Sequence, residues 1–278
     1  MFPAGSTADG PKSPMVKTFF QEVLSVLYGA ALAGVVLQPW LYAPLTYERK
    51  VPGQRIMMGM IPVFVRDPDL DNPLEPETVP MWTLLIIMAC GGLVMLATEA
   101  ASSMESGSGA GPAVRAVATW LQATALTEGA TNAAKTYMGV MRPNFYAGCE
   151  WSDRDMACLA EPAIIHDFCK SFPSGHSAHA ACFATLLALH LLRHATLQAL
   201  RGTAPLRTRA LQLAALVPPP LALFIAASRV HDNWHHPADI IAGLCLGAAC
   251  AGLIYQMMWP VPVIVERDSG DSSAYRAL

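Results

Sequence analysis

The chain has 278 residues, of which 53% are hydrophobic and only 14% charged, against about a quarter charged in an ordinary soluble domain. Its formal charge of −3 carries none of the basic excess by which nucleic-acid binders are known, so no nucleic-acid partner is expected. The composition is that of a protein embedded in a bilayer.

Residues 1–18, rich in Gly, Pro, Ser and Thr, read as a flexible cytosolic tail. The apolar stretch from Phe19 to about Leu41 is long enough to span a membrane and lacks a small-residue cleavage site, so a retained anchor is expected. A polar loop follows over 42–80, then a second span from Met81 to about Ala97, ended by Glu99 and a Ser/Gly-rich connector from Ala101 to Gly111. The third span, about Val114 to Tyr137, holds Gln122, Thr127, Glu128, Asn132 and Lys135, polar groups that should face the interior of a helix bundle. Glu128 is read there as a structural partner. The fourth runs from Ser177 to about Leu192. The fifth, Leu211 to about Ala227, contains Pro218, Pro219 and Pro220, which should kink or interrupt it. The sixth, Ile240 to about Trp259, sets Tyr255 and Trp259 where an aromatic belt would fall. Residues 260–278 form a second polar tail. The expected architecture is an all-α integral membrane bundle of six transmembrane helices over residues 19–259.

The seven cysteines show no C-x2-C metal spacing. Cys90, Cys182, Cys245 and Cys250 lie in apolar runs and read as core residues, whereas Cys149, Cys158 and Cys169 share one polar loop. If that loop faces an oxidising compartment, one pair can be bridged; proximity favours Cys149 with Cys158, but sequence does not fix the pairing.

Three stretches carry chemistry. Ser228–Asp239 reads SRVHDNWHHPAD, with His235 and Asp239 one helical turn apart if the segment is helical, so that the carboxylate could orient the imidazole. Lys135–Pro143 reads KTYMGVMRP, and Pro173–His176 reads PSGH. Lys135, Arg142 and Arg229, with the turn at Ser174 and Gly175, make a pocket suited to a dianionic oxygen cluster. About fifty residues separate His176 from Ser228, enough for two spans, so the second and third stretches emerge on the same side of the membrane. The first joins the second without a crossing. All three therefore share one face.

The pattern K-x6-R-P, P-S-G-H, S-R-x5-H-x3-D resembles the three signature motifs of the type 2 phosphatidic acid phosphatase superfamily, and NPLEPETVPMW at Asn72–Trp82 resembles the loop entering the second span of its lipid phosphate phosphatase (phospholipid phosphatase) branch. The resemblance implies a metal-independent phosphatase with no cofactor. His235 would be a nucleophile that forms a phosphohistidine, oriented by Asp239, with His176 protonating the leaving oxygen. Lys135, Arg142, Arg229, Ser174 and Gly175 would bind the phosphoryl group. The partners implied are the bilayer and a phosphorylated lipid such as phosphatidate, lysophosphatidate, a sphingoid-base phosphate or diacylglycerol pyrophosphate; homo-oligomerisation is left open.

Outside the proposed site, nine basic residues fall on the side of the termini against six on the motif side, so the termini are expected in the cytosol and the site at the lumenal or extracellular face of a plasma or endomembrane such as the endoplasmic reticulum. The remaining histidines have plainer readings: His166, His179, His190 and His194, with Lys170, as headgroup-level anchors, and His231 and His236 as neighbours that tune the pocket. Four rivals remain at this point. They are an isoprenoid pyrophosphate phosphatase, a metal site on His231, His235 and Asp239, a vanadate-type peroxidase and a non-catalytic lipid-binding relative.

Overall fold

The computed structural model describes residues 50–202 and 205–259; the expected tails and the first span, Phe19–Leu41, lie outside them. A β-hairpin, β1 (Gly53–Met58) and β2 (Ile61–Arg66), opens the described chain. Then come α1 (Met81–Ser106), α2 (Gly111–Met138), a short helix α3 (Pro162–Phe168), α4 (Gly175–Leu200), α5 (Pro205–Ala215), α6 (Pro218–His231) and α7 (Pro237–Met258). A two-residue strand pair, Trp151–Ser152 with Ala157–Cys158, sits between α2 and α3.

Among the described residues four stretches are long and apolar enough to cross a bilayer: α1, α4, α5 with α6 taken together, and α7. The expected third span, α2, has 28 residues but is not among them. Its polarity is turned inward, with Thr119, Thr127 and Thr131 buried among Ala116, Ala118 and Ala123, as polar groups within a bundle must be. The helices also outrun the apolar segments that announced them. The expected connector after Ala101 is helical as far as Ser106, and α4 continues to Leu200. Hydropathy marks the part of a helix that suits lipid, whereas backbone hydrogen bonding carries it further. The prolines do interrupt the fifth segment. α5 stops at Ala215, and Pro218–Pro220 occupy the first turn of α6, where backbone N–H groups have no helical acceptor and proline costs little.

α4 is the hub, packing against α1, α2, α5, α6 and α7. Of its most apolar stretch 61% is buried within the protein, against 22–28% in the other three, so the outer helices keep most of their apolar surface facing outward. Its tightest neighbour is α7. A Cβ on Gly247 would lie 1.9 Å from the Ala178 carbonyl oxygen, and one on Gly243 would lie 2.5 Å from that of Ser174. Only glycine permits this approach, the small-residue packing expected of helices in lipid. It brings the amino-terminal ends of α4 and α7 together.

Three expectations about individual residues need correction. Tyr255 and Trp259 do not form an outward belt. Both are buried, their rings 6.2 Å apart, and the Trp259 indole donates to Thr119 Oγ1 at 2.9 Å. Cys90 and Cys245 are exposed on the outside of the bundle rather than in its core. His179, His190 and His194 are buried and meet carboxylates within the bundle, so they are not headgroup anchors.

Candidate active site

Four helix ends meet on one side of the bundle. α2 and α6 arrive there with their carboxyl ends, carrying Lys135 and Arg229; α4 and α7 leave from there, carrying Ser174–His176 and Asp239. Gly139 closes α2 in the left-handed conformation, φ 54°, which a glycine adopts without strain, and the chain turns at once into Val140–Pro143.

Backbone hydrogen bonds stitch the three motif stretches together. Arg142 N–H donates to the Phe168 carbonyl at 2.9 Å, and Ser171 N–H to that of Val140 at 2.8 Å. Ser174 N–H donates to the Asp239 carbonyl at 3.0 Å. Loop one is thereby tied to loop two, and loop two to the start of α7. A cap closes over them: Leu70, Met141, Phe145, Tyr146, Cys149 and Phe168 form a separate apolar cluster, and a disulfide joins Cys149 to Cys158 with Cα atoms 5.2 Å apart.

His235 lies in the turn between α6 and α7, 3% exposed, with its N–H donating to the Arg229 carbonyl at 3.2 Å. Its Nδ1 is 3.5 Å from Asp239 Oδ2 and 3.3 Å from Ser171 Oγ. The helical premise for this pair fails, because α7 starts only at Pro237. Asp239 instead reaches back as the third residue of α7. Its Oδ2 accepts from the His236 N–H at 2.9 Å, closing a capping box, and from Ser171 Oγ at 2.6 Å. Burial, reinforced by the charges of Lys135 and Arg142, pushes the His235 imidazole down to about 4 despite the opposing pull of Asp239.

The cations are held in place by carboxylates. Arg229, fully buried, donates from Nη1 to Glu77 Oε1 at 2.9 Å and from Nη2 to Asp232 Oδ2 at 2.8 Å. Asp232 is itself fixed by Thr78, whose N–H and hydroxyl each donate at 2.7 Å. Arg142 donates to Asp167 Oδ2 at 3.0 Å and lies over the Trp234 ring, 4.9 Å from its centroid. A guanidinium has five N–H groups, so these contacts orient each arginine while leaving donors for an anion. Lys135 comes to the turn of α4, its Nζ 3.7 Å from where a Cβ on Gly175 would stand. Ser174 caps α4, its hydroxyl accepting from Ser177 N–H at 3.4 Å. His176 follows, within electrostatic reach of Arg229, His235, Lys135 and Arg142, and its buried Nε2 has no hydrogen-bond partner among the described residues.

The eight residues singled out from sequence thus converge at one end of the bundle. Sequence reasoning missed Ser171, Glu77, Asp232 and Asp167. Glu77 and Thr78 lie within the stretch Asn72–Trp82, but its spacing said nothing of their contact with Arg229 and Asp232. His231 turns away: its side chain is 84% exposed and bonds Asp232, so His231, His235 and Asp239 do not form a metal triad.

Arginines held ready around an unspent imidazole nitrogen, beside a second imidazole backed by a carboxylate, suit a tetrahedral anion. Comparisons with known proteins give the chain's family. The chain is 26% identical over 209 residues to lipid phosphate phosphatase 1 of Arabidopsis thaliana, the match covering 70% of this chain and 59% of that protein. It is 28% identical over 209 residues to phospholipid phosphatase 2 of Homo sapiens, covering 68% and 70% respectively. The match thus spans less than two thirds of the plant relative. A solved PAP2 type phosphatidylglycerolphosphate phosphatase from Bacillus subtilis aligns with a TM-score of 0.39 at 17% identity over 88% of this chain and 96% of its own, a likeness too slight to inform the fold. Residues 116–262, more than half of the chain, match the PAP2 superfamily, and the chain belongs to that family.

Proposed function

We propose that the protein is a metal-independent lipid phosphate phosphatase acting on phosphomonoesters such as phosphatidate, lysophosphatidate or sphingoid-base phosphates, or on diacylglycerol pyrophosphate. The observation that carries this reading is the backbone stitching that sets Lys135, Arg142, Arg229 and two imidazoles around one space. Asp239, with Ser171, faces Nδ1 of His235 and so leaves Nε2 as the attacking atom. Nε2 bonds to phosphorus, the bond to the lipid oxygen breaks, and His176 donates the proton that the leaving alkoxide takes up. Water then gives a proton to His176 as its oxygen displaces Nε2 from phosphorus, releasing inorganic phosphate and restoring both histidines. The three cations and the turn at Ser174 and Gly175 hold the equatorial oxygens as charge shifts.

In this reading the four apolar stretches, α2 and the segment Phe19–Leu41 make six crossings. The site lies at the lumenal or exterior membrane surface, where a lipid offers its headgroup without leaving the bilayer. The disulfide in the loop between the first two motifs supports that orientation, since such bonds persist in oxidising compartments. The test is phosphate release from a panel of lipid phosphates by purified protein without divalent metal, comparing wild type with His235→Ala and His176→Ala. Turnover by wild type alone is expected; equal turnover in all three refutes the proposal.

A further inference from the structure

A second polar cluster lies far from the site. Glu99 on α1 and His190 and His194 on α4 are all buried, and His194 is eighteen residues beyond His176, roughly 27 Å along the helix. His194 Nε2 is 2.9 Å from Glu99 Oε1 and His190 Nε2 is 3.7 Å from it, with all three ligand atoms within 4.8 Å of one another. Ligands about 2.0–2.2 Å from a tetrahedral zinc ion stand roughly 3.3 Å apart, which these spacings bracket. The two histidines share one face of α4 at i, i+4, and two packed helices fix the carboxylate against them. Among the described residues the nearest arginine, Arg193, holds its Nη1 3.9 Å from Glu99 Oε1, beyond hydrogen-bond distance.

We propose that Glu99, His190 and His194 bind a divalent transition metal of the zinc class, as a structural clamp between α1 and α4. Water fills the fourth position. The ion takes no part in the phosphoryl chemistry. The competing state is a hydrogen-bonded network in which His194 donates to Glu99 and His190 donates to Thr98 Oγ1, 2.8 Å away.

The test uses purified full-length protein, stripped with a chelator and titrated with Co²⁺. Wild type is expected to bind one equivalent with the visible absorption bands of a four-coordinate ion, and Zn²⁺ should displace it and raise Tm. Glu99→Gln and His194→Ala should each weaken binding at least ~10-fold, and His235→Ala should keep it. Glu99→Gln is isosteric and decides the matter if His194→Ala does not fold. Absence of Co²⁺ uptake by wild type, or equal uptake by Glu99→Gln, overturns the proposal in favour of the hydrogen-bonded network. Phosphate release by Glu99→Gln should stay near wild type.

Discussion

Two groups of imidazoles and carboxylates stand toward opposite ends of α4, and they differ in what they leave unspent. Near its amino end, His176 Nε2 has no partner among the described residues, and Arg142 and Arg229 are aimed by carboxylates that do not exhaust their donors. Further along, His190 and His194 turn the same kind of nitrogen onto one carboxylate oxygen. Spare donors suit an anion, whereas converging acceptors suit a cation. Composition alone does not separate the two; which atoms remain available does.

That contrast can be broken most sharply at His235. His235→Ala should lower phosphate release at least ~10³-fold and abolish the phosphoenzyme trapped from labelled substrate. Arg229→Lys keeps the charge but cannot hold Glu77, Asp232 and a phosphate at once, so kcat/KM should fall about 10²–10³-fold. Ser171→Ala removes the shortest hydrogen bond to Asp239 while leaving the cations alone. A loss of about 10-fold is expected. The pH profile sharpens this case. In the proposed mechanism only neutral His235 attacks, so the acid limb of kcat/KM, corrected for the substrate's own ionisation, should fall below about pH 4, while the need for a protonated His176 sets a separate alkaline limb. In Ser171→Ala the acid limb should move upward, because Asp239 turns its charge more fully on the imidazole. The smallest effect is expected in the cap. Cys149→Ser opens a loop of nine-residue separation and should cost about 2–3 kcal/mol of stability, read as a lower Tm, with kcat little changed.

The convergence of the candidate residues was legible in sequence because they fall in three short stretches whose helix ends must meet: counting crossings already set Lys135, His176 and His235 on one face. What stayed hidden was contact between stretches. Ser171 looks like any loop serine until its hydroxyl is found between His235 and Asp239. Glu77 and Arg229, 152 positions apart, are joined only by the fold. The His235–Asp239 spacing suggested a helix, yet the contact arises at a helix start, which periodicity does not distinguish. His190 and His194 were misread for a related reason. At i, i+4 near a helix end they fit a surface anchor equally well, and the partner that draws them inward, Glu99, comes from another helix.

The glycine seam between α4 and α7 has a mechanical consequence. With Gly247 pressed against Ala178 and Gly243 against Ser174, these two rods are locked in register, so the turn at Ser174 and Gly175 and the Asp239 carboxylate travel as one piece.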